Sequence, residues 1–230
     1  QLFAAGKYHS SFSFYGYLKS PKEKYKLVID NETANVVRKI FKWAERGMKT
    51  MQIAKKLNDK NIPTPMMSLT RQKNFKWFLE SDNHGKMWTS SAVMRILKDE
   101  RYTGKCIYGK TKVAGIGSKK CIPQPPDQWI IVPNVFPVIV SQERYDRVQP
   151  KLKKHIKQNK HKNNRLFIGN IRCGHCGYAL AYHPAEFSYY QCHTHVVSDS
   201  VCYGNRILES ELAEIVLSTA KKYAQAVIEH

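Results

Sequence analysis

Cys173-Gly-His-Cys176, followed by Cys192 and Cys202, is the stretch in which residue type and spacing together demand one particular chemistry. A Cys-x-x-Cys knuckle directs two thiolates at one ion, and two later ligands complete a tetrahedron around Zn²⁺. Residues 166–168 and the residues after the knuckle read as short strands, whereas a redox Cys-x-x-Cys normally opens a helix. The spacing therefore predicts one structural zinc ion in preference to a redox pair or a disulfide.

The fourth zinc ligand has two candidates. Cys202 completes a site of four cysteines with Cys173, Cys176 and Cys192, and this is the first prediction. His195 follows Cys192 in a Cys-x-x-His arrangement, which makes three cysteines and one histidine the second prediction. Either set fills the coordination sphere with protein ligands, so the ion is expected to stabilise the fold and to catalyse nothing.

The charge of the chain indicates its class of partner. Lys and Arg number 38 and Asp and Glu number 18, which gives a net charge of +20 over 230 residues. Such an excess repels itself unless a polyanion is bound, so nucleic acid is the first partner predicted and an anionic membrane surface the second. A merely soluble basic surface is the plain alternative.

The compartment follows from what the sequence lacks. No apolar run approaches the ~18 residues of a membrane span, and no secretory signal is present at Gln1. We therefore expect a cytoplasmic protein with reduced or metal-bound cysteines and no membrane partner. Because Gln1 is not an initiator methionine, we also expect the sequence to be a piece of a longer protein.

Apolar residues at helical spacing predict a mainly helical region before residue 150. Asp30 is the expected N-cap of a first helix, which Gly47 ends. Thr50 is expected to cap a second helix that runs from Met51 to about Lys60. Short strands are expected between the helices, which makes the predicted fold class α+β.

A third helix carries the features of a DNA-reading element. A polar, basic connection over residues 61–88 precedes it, and its apolar stripe ends at Leu97. Hydroxyl groups at Ser90 and Ser91 suit phosphate, and Arg95 on the outer face can reach a base edge. An ordinary amphipathic helix with a solvated basic face explains this segment equally well. Paired with the second helix, however, it has the internal pattern of a helix-turn-helix that is interrupted by the long connection.

The predicted DNA contacts combine this helix with basic residues before and after it. A basic stretch over residues 151–165 cannot build a core, so it reads as a linker that would contact the DNA backbone. The predicted contacts are Arg71, Lys73, Lys76, Ser90, Ser91, Arg95, Lys98 and Arg101, with Lys153, Lys154, Lys157 and Lys160 in the linker.

The order and spacing of several short motifs resemble the recombinase domain of the large serine recombinases, which are the integrases and transposases of phages and mobile elements. The cysteine-containing segment from Leu166 resembles the zinc β-ribbon domain that follows it in that family. Phe14 stands where the family commonly has proline, which affects a local turn. The motifs are Tyr15-Gly-Tyr17, Asp30-Asn-Glu-Thr-Ala34, Val36-Val-Arg-Lys-Ile40-Phe41, Ile53-Ala-Lys-Lys-Leu57-Asn58, Ile62-Pro-Thr-Pro65, Trp88, Ile96-Leu-Lys98 and Arg101-Tyr-Thr-Gly104.

This resemblance implies a recombinase DNA-binding domain over residues 1–150, a basic linker over 151–165, and a zinc β-ribbon domain with a C-terminal helix over 166–230. It implies binding to double-stranded attachment-site DNA in a protein that integrates or excises mobile DNA, with other recombinase subunits as partners. The family's nucleophilic serine lies in a catalytic domain with no counterpart here, so no catalytic residue is expected in this chain. The C-terminal helix is expected to begin a coiled-coil region.

Two other classes of function remain open at this point. A zinc-ribbon regulatory protein that binds DNA or RNA without recombinase activity is the main alternative. A structural or assembly protein that associates through its C-terminal helix is the third class.

Overall fold

The computed structural model describes residues 8, 10–73, 85–115, 117–118, 120–152, 167–198 and 201–228, with the side chains of 71–73 excepted. The fold is α+β, as predicted. Its helices are α1 (Asn31–Glu45), α2 (Thr50–Asp59), α3 (Pro65–Lys73), α4 (Ser90–Leu97), α5 (Gln142–Leu152), α6 (Thr194–Val197) and α7 (Glu209–Ile228).

Short antiparallel strands form small sheets between the helices. The first hairpin joins β1 (Tyr17–Lys19) to β2 (Leu27–Ile29), with Tyr17 opposite Ile29. In the middle of the chain, β3 (Cys106–Tyr108) pairs with β6 (Ile130–Val132), and β4 (Thr111–Val113) pairs with β5 (Cys121–Pro123). The C-terminal sheet has the order β7 (Ala181–His183), β8 (Tyr189–Gln191) and β9 (Arg206–Leu208).

Helix α1 forms as the sequence predicts. The Asp30 carboxylate caps it by accepting a hydrogen bond from the backbone N–H of Glu32. Gly47, in the left-handed region at φ +88°, follows the helix end, where a residue with a Cβ would be strained. One face of the helix is buried in the main core, with Val37, Ile40 and Phe41 each 0% exposed.

Three local predictions are wrong. Lys49, and not Thr50, occupies the N-cap of α2, and its backbone N–H donates to the Gln52 side chain at 3.0 Å. Helix α3 occupies part of the predicted polar connection and begins at Pro65, because proline suits the first turn of a helix, where no N–H partner is needed. The predicted strand over 166–168 is absent from its described part, since residues 167–170 form a turn.

Hydrogen bonds from two tyrosine hydroxyls join the segment around residues 15–17 to later parts of the first domain. The Tyr102 hydroxyl donates to the carbonyl of Tyr15 at 2.9 Å, and the Tyr17 hydroxyl donates to that of Pro137 at 2.6 Å. Gly16 lies between the first two tyrosines, where a Cβ would stand 2.9 Å from the side chain of Ile139. The Tyr-Gly-Tyr motif is thus a packing motif that fixes the position of the segment from residue 100 onward.

Helix α7 contrasts with the rest of the fold. It has 20 residues, none of them buried, and exposes Leu217, Tyr223 and Val227. Across the described ranges, no helix has the length and hydropathy that crossing a membrane requires.

Replacing the cap of α1 tests how this helix is held. We expect Asp30→Ala to lower the free energy of unfolding by about 0.5–2 kcal/mol, because the N–H of Glu32 and the Thr33 hydroxyl lose their acceptor. Urea denaturation followed by circular dichroism measures this change. Asp59→Ala removes the same charge from an exposed position at the end of α2 and is the control. Equal stability of the two variants would show that the cap contributes nothing.

Candidate nucleic-acid interface and metal centre

Helices α2 and α4 form one unit despite the long connection between them. The Thr50 and Ser90 hydroxyls lie 2.6 Å apart and join the starts of the two helices. At the other end of α2, the Asn58 amide accepts from the backbone N–H of Trp88 at 2.8 Å and donates to its carbonyl at 3.0 Å. The Trp88 indole is fully buried and donates to the carbonyl of Ile62 at 2.8 Å. The structure thus packs α2 against α4 across the long connection, as the paired pattern in the sequence predicts.

The outer side of α4 borders an open groove of about 900 Å³. Five of the residues predicted to contact DNA line this groove, although they come from two different elements. They are Ser90, Ser91, Arg95, Lys98 and Arg101.

Arg95 and Lys98 are the exposed cations of this groove on α4 and its C-cap. Among the side chains that the structure describes, neither has an ionic partner. The opposite face of α4 is buried through Val93 and Leu97, both 0% exposed, so the helix is fixed while its basic face is open. Both cations can therefore reach an anionic ligand without breaking an existing ion pair.

Arg101 lies in the same groove but already has partners within the protein. Its guanidinium donates to both carboxylate oxygens of Asp99, at 2.6 to 3.0 Å, and lies 4.1 Å from the centre of the Phe14 ring. Burial acts to lower the pKa of Arg101, but the hydrogen bonds and the charge of Asp99 outweigh it and raise the pKa. This ion pair lies against an aromatic ring and shapes the groove wall, so Arg101 is less available to DNA than Arg95.

Residues that the sequence interpretation did not select complete the groove. Tyr8 and Ser10 come from the N-terminal segment, and Tyr108 and Lys110 come from the end of β3. Lys110 also lies over the Trp129 ring at 5.0 Å. The basic residues that begin at Lys110 indicate a candidate anion-binding segment, but nothing in the sequence places that segment beside α4.

The other predicted DNA contacts cannot be placed in this groove. Arg71 and Lys73 lie in α3, and their side chains are outside the described part of the chain. Lys76, Lys153, Lys154, Lys157 and Lys160 also lie outside the described residues.

The four predicted metal ligands lie together at the centre of the ribbon. The sulfurs of Cys173, Cys176, Cys192 and Cys202 are all within 4.8 Å of one another, and all four residues are buried. Three of the pairs are separated by 3.4, 3.6 and 3.7 Å. A tetrahedral Zn²⁺ with sulfur ligands at about 2.3 Å requires sulfurs about 3.8 Å apart, so the arrangement fits this ion.

Backbone hydrogen bonds shape the first knuckle. The N–H of Gly177 donates to the carbonyl of Cys173, and the N–H of Cys173 donates to the carbonyl of Tyr178, both at 2.8 Å. Gly177 has a φ of +72°, which a glycine adopts without strain. Strand β8 delivers Cys192 to the same point, since that residue follows Gln191 directly.

The thiols of this cluster differ in acidity. Burial raises the pKa of Cys192 to about 12, and burial also raises the pKa of Cys202. Burial acts in the same direction on Cys173, but the backbone N–H groups of Cys176 and His175 lower its pKa to about 7. A cation bound between the sulfurs would keep all four deprotonated together, because metal and proton compete for the same electron pairs.

His195, the second candidate for the fourth ligand, is outside the group of four sulfurs. Its Nδ1 donates to the carbonyl oxygen of Cys192 at 2.9 Å. Its ring also packs against Gly204, where an added Cβ would come within 2.6 Å. The geometry therefore favours Cys202 as the fourth ligand, while His195 contacts the backbone of Cys192 and packs against Gly204.

Comparison with known proteins gives the family. No curated protein matches the chain. Five chains of solved structures match it. One of them, from "Sequence Requirements of the Listeria innocua prophage attP site", is 18% identical and has a TM-score of 0.36. The match covers 93% of this chain and 79% of that one. Another, from "Crystal Structure of a LSR-DNA Complex", is 19% identical, with a TM-score of 0.40, over 97% of this chain and 62% of that one.

Two family models together match most of the chain. The model for the recombinase domain matches residues 31–155, and the model for the recombinase zinc β-ribbon domain matches residues 166–221. The first match alone covers more than half of the 230 residues. This chain therefore belongs to the recombinase family, as its resemblance to the large serine recombinases predicted.

Proposed function

We propose that this chain binds double-stranded DNA at a recombinase attachment site, with α4 as the helix that reads the bases. The observation that carries this proposal is the groove beside α4, where Arg95 and Lys98 are exposed without ionic partners among the described side chains. Family membership supports it, because recombinases act on DNA.

The dimensions of α4 suit this role. An α-helix with its side chains is about 10–12 Å in diameter, and the major groove of B-DNA is about 12 Å wide, so α4 can enter the groove. Arg95 and Lys98 are three residues apart and so lie on neighbouring positions of one face. In this arrangement Arg95 would pair with a guanine edge, while Lys98 would neutralise a phosphate.

The remaining basic residues would extend the contact along the DNA. We assign residues 1–150 to the domain that holds the first part of a half-site and residues 166–230 to the ribbon domain that holds the adjacent part. The linker over 151–165, with Lys153, Lys154, Lys157 and Lys160, would follow the phosphate backbone between them. The net charge of +20 supports a large electrostatic share of the affinity.

The ion proposed for the ribbon is Zn²⁺. The donor set of four buried cysteines and the fit of the sulfur spacing to a tetrahedron support it. With Cys173, Cys176, Cys192 and Cys202 as ligands, zinc would supply folding free energy and leave no position for a catalytic water.

Strand exchange would require a catalytic domain with a nucleophilic serine in addition to the two domains described. We propose that the chain acts together with such a domain and with other recombinase subunits, in the cytoplasm of a bacterium or the host of a mobile element. Its own part would be to select the site on DNA.

Replacing Arg95 tests base reading. A pool of random-sequence DNA duplexes is selected on the protein, and the retained duplexes are sequenced. We expect the wild type to enrich one motif, and Arg95→Ala to lose about 1–3 kcal/mol of discrimination at one position of that motif, because a bidentate arginine–guanine pair is lost. Arg46→Ala removes an exposed arginine outside the groove and is the control. Absence of any enriched motif, or an unchanged motif for Arg95→Ala, would contradict the proposal.

Replacing Lys98 tests the phosphate contact. We expect Lys98→Ala to weaken binding to selected and random duplexes by the same factor. The slope of log K against log salt should become shallower by about 0.9, because one fewer phosphate is neutralised. Fluorescence anisotropy over a salt series measures both quantities. A slope that matches the wild type would place Lys98 away from the DNA.

Replacing Cys202 and His195 in turn tests the ligand set. We expect one zinc per chain by native mass spectrometry in the wild type and in His195→Ala. Cys202→Ser should lose zinc and the tertiary structure of the ribbon, while the domain before residue 150 stays folded. Zinc should also be released as the pH falls, since protons compete for the thiolates. Retention of zinc by Cys202→Ser together with its loss from His195→Ala would identify the histidine as the ligand.

A further inference from the structure

Helix α6 lies between the cysteine cluster and the helix-turn-helix. It directly follows Cys192 and the N-cap residue His193. At its first residue, the Thr194 hydroxyl lies 3.3 Å from the Cys176 sulfur, where it would donate to a metal-bound thiolate. At its last residue, Val197 is 8% exposed and belongs to the core of the first domain. Four residues thus span the distance from the metal ligands to the neighbouring domain.

Asn58 of α2 binds the C-terminal end of α6. Its Nδ2 donates to the carbonyl of Val197 at 2.8 Å and to the carbonyl of Trp88 at 3.0 Å, while its Oδ1 accepts from the N–H of Trp88. Both hydrogens of the amide are therefore used, one for each domain. Trp88 is followed by Thr89, the N-cap of α4, so the side chain that holds the ribbon also fixes the start of the reading helix.

The ribbon can hold α6 in place only when the cysteine cluster is intact. The buried cluster around these ligands consists of the four cysteines, with Tyr178, Leu180 and Val201 partly buried against it. Four thiolates at this spacing would repel one another without a cation, and the Cys176 sulfur contacts the first residue of α6. Loss of the metal would therefore release Thr194 first and Val197 with it.

We propose that Asn58 is a positioning residue that couples metal binding in the ribbon to the order of α4. Metal at the cysteines holds Thr194, α6 holds Val197 against α2, and Asn58 transmits this contact to Trp88 and the start of α4. The inference rests on the proposed metal site and not on DNA binding, so its test requires no DNA.

Hydrogen exchange measured by mass spectrometry on the whole chain tests this coupling. Peptides that cover α2 and the segment 88–97 are followed with Zn²⁺ present and after removal of metal by EDTA. In the wild type we expect chelation to speed exchange in 88–97 by roughly tenfold, the size that corresponds to losing one buried hydrogen bond. An unchanged exchange rate in 88–97 would overturn the proposal, even if the ribbon itself unfolds.

Two variants separate the coupling from general destabilisation. Val197→Asp should retain one zinc per chain and lose the response of 88–97 to EDTA, because the ribbon no longer docks on α2. Val196→Asp places the same charge on the adjacent residue, which is 37% exposed, and should keep the response. Asn58→Ala should make 88–97 exchange faster at all times and insensitive to EDTA. Persistence of the EDTA response in Val197→Asp or Asn58→Ala would overturn the assignment.

Discussion

The pairing of α2 with α4 is the constraint on which the proposed DNA interface depends. In an ordinary helix-turn-helix a short turn fixes the angle between the helices, but here a long segment separates Asp59 from Ser90. Closing a connection of that length costs more entropy than closing a short turn. Side-chain contacts must therefore replace the turn, and the structure places one at each end of α2, from Thr50 to Ser90 and from Asn58 to Trp88.

The ribbon domain has few buried apolar residues of its own. Its large, fully buried side chain is Tyr190, and the four cysteines form the centre of its buried cluster. A domain of this size cannot bury enough area to offset its conformational entropy, so metal ligation would have to contribute to folding. That need explains why its cysteines come from three separate segments, since a cross-link between distant segments restricts the unfolded chain most.

The sequence predicts the features that depend on neighbouring residues. The cap at Asp30, the end of α1 and the course of α4 follow from helical periodicity and local hydrogen bonding, and the Cys-x-x-Cys spacing predicts the sulfur cluster. Helix α3 was missed because the polar, basic composition of residues 61–88 indicated a connection, although proline at position 65 can start a helix. The short apolar run over 166–168 has no period, so it could not distinguish a strand from the turn that is present.

Features that depend on distant residues could not be predicted. Arg101 was selected for its charge, but its guanidinium lies against the ring of Phe14, a residue far away in the sequence, while its Nε and Nη2 donate to Asp99. The contact of Asn58 with Val197 joins residues 139 positions apart, and no local pattern marks either as part of an interface. Such contacts depend on how complete elements pack, which a spacing rule does not encode.

The two arginines of the groove show how packing divides equal charges into different roles. Arg101 lies against Phe14 and is neutralised by Asp99, so moving it to DNA would leave a carboxylate beside the groove without its partner. Arg95 forms no ion pair with the described side chains, and its backbone belongs to a helix whose other face is buried. An anionic ligand can therefore bind Arg95 without breaking a contact that stabilises the fold, whereas binding Arg101 would break its ion pair with Asp99. The proposed reading of DNA would then depend on a rigid α4, and that rigidity comes from the contacts at Thr50 and Asn58 that replace the missing turn.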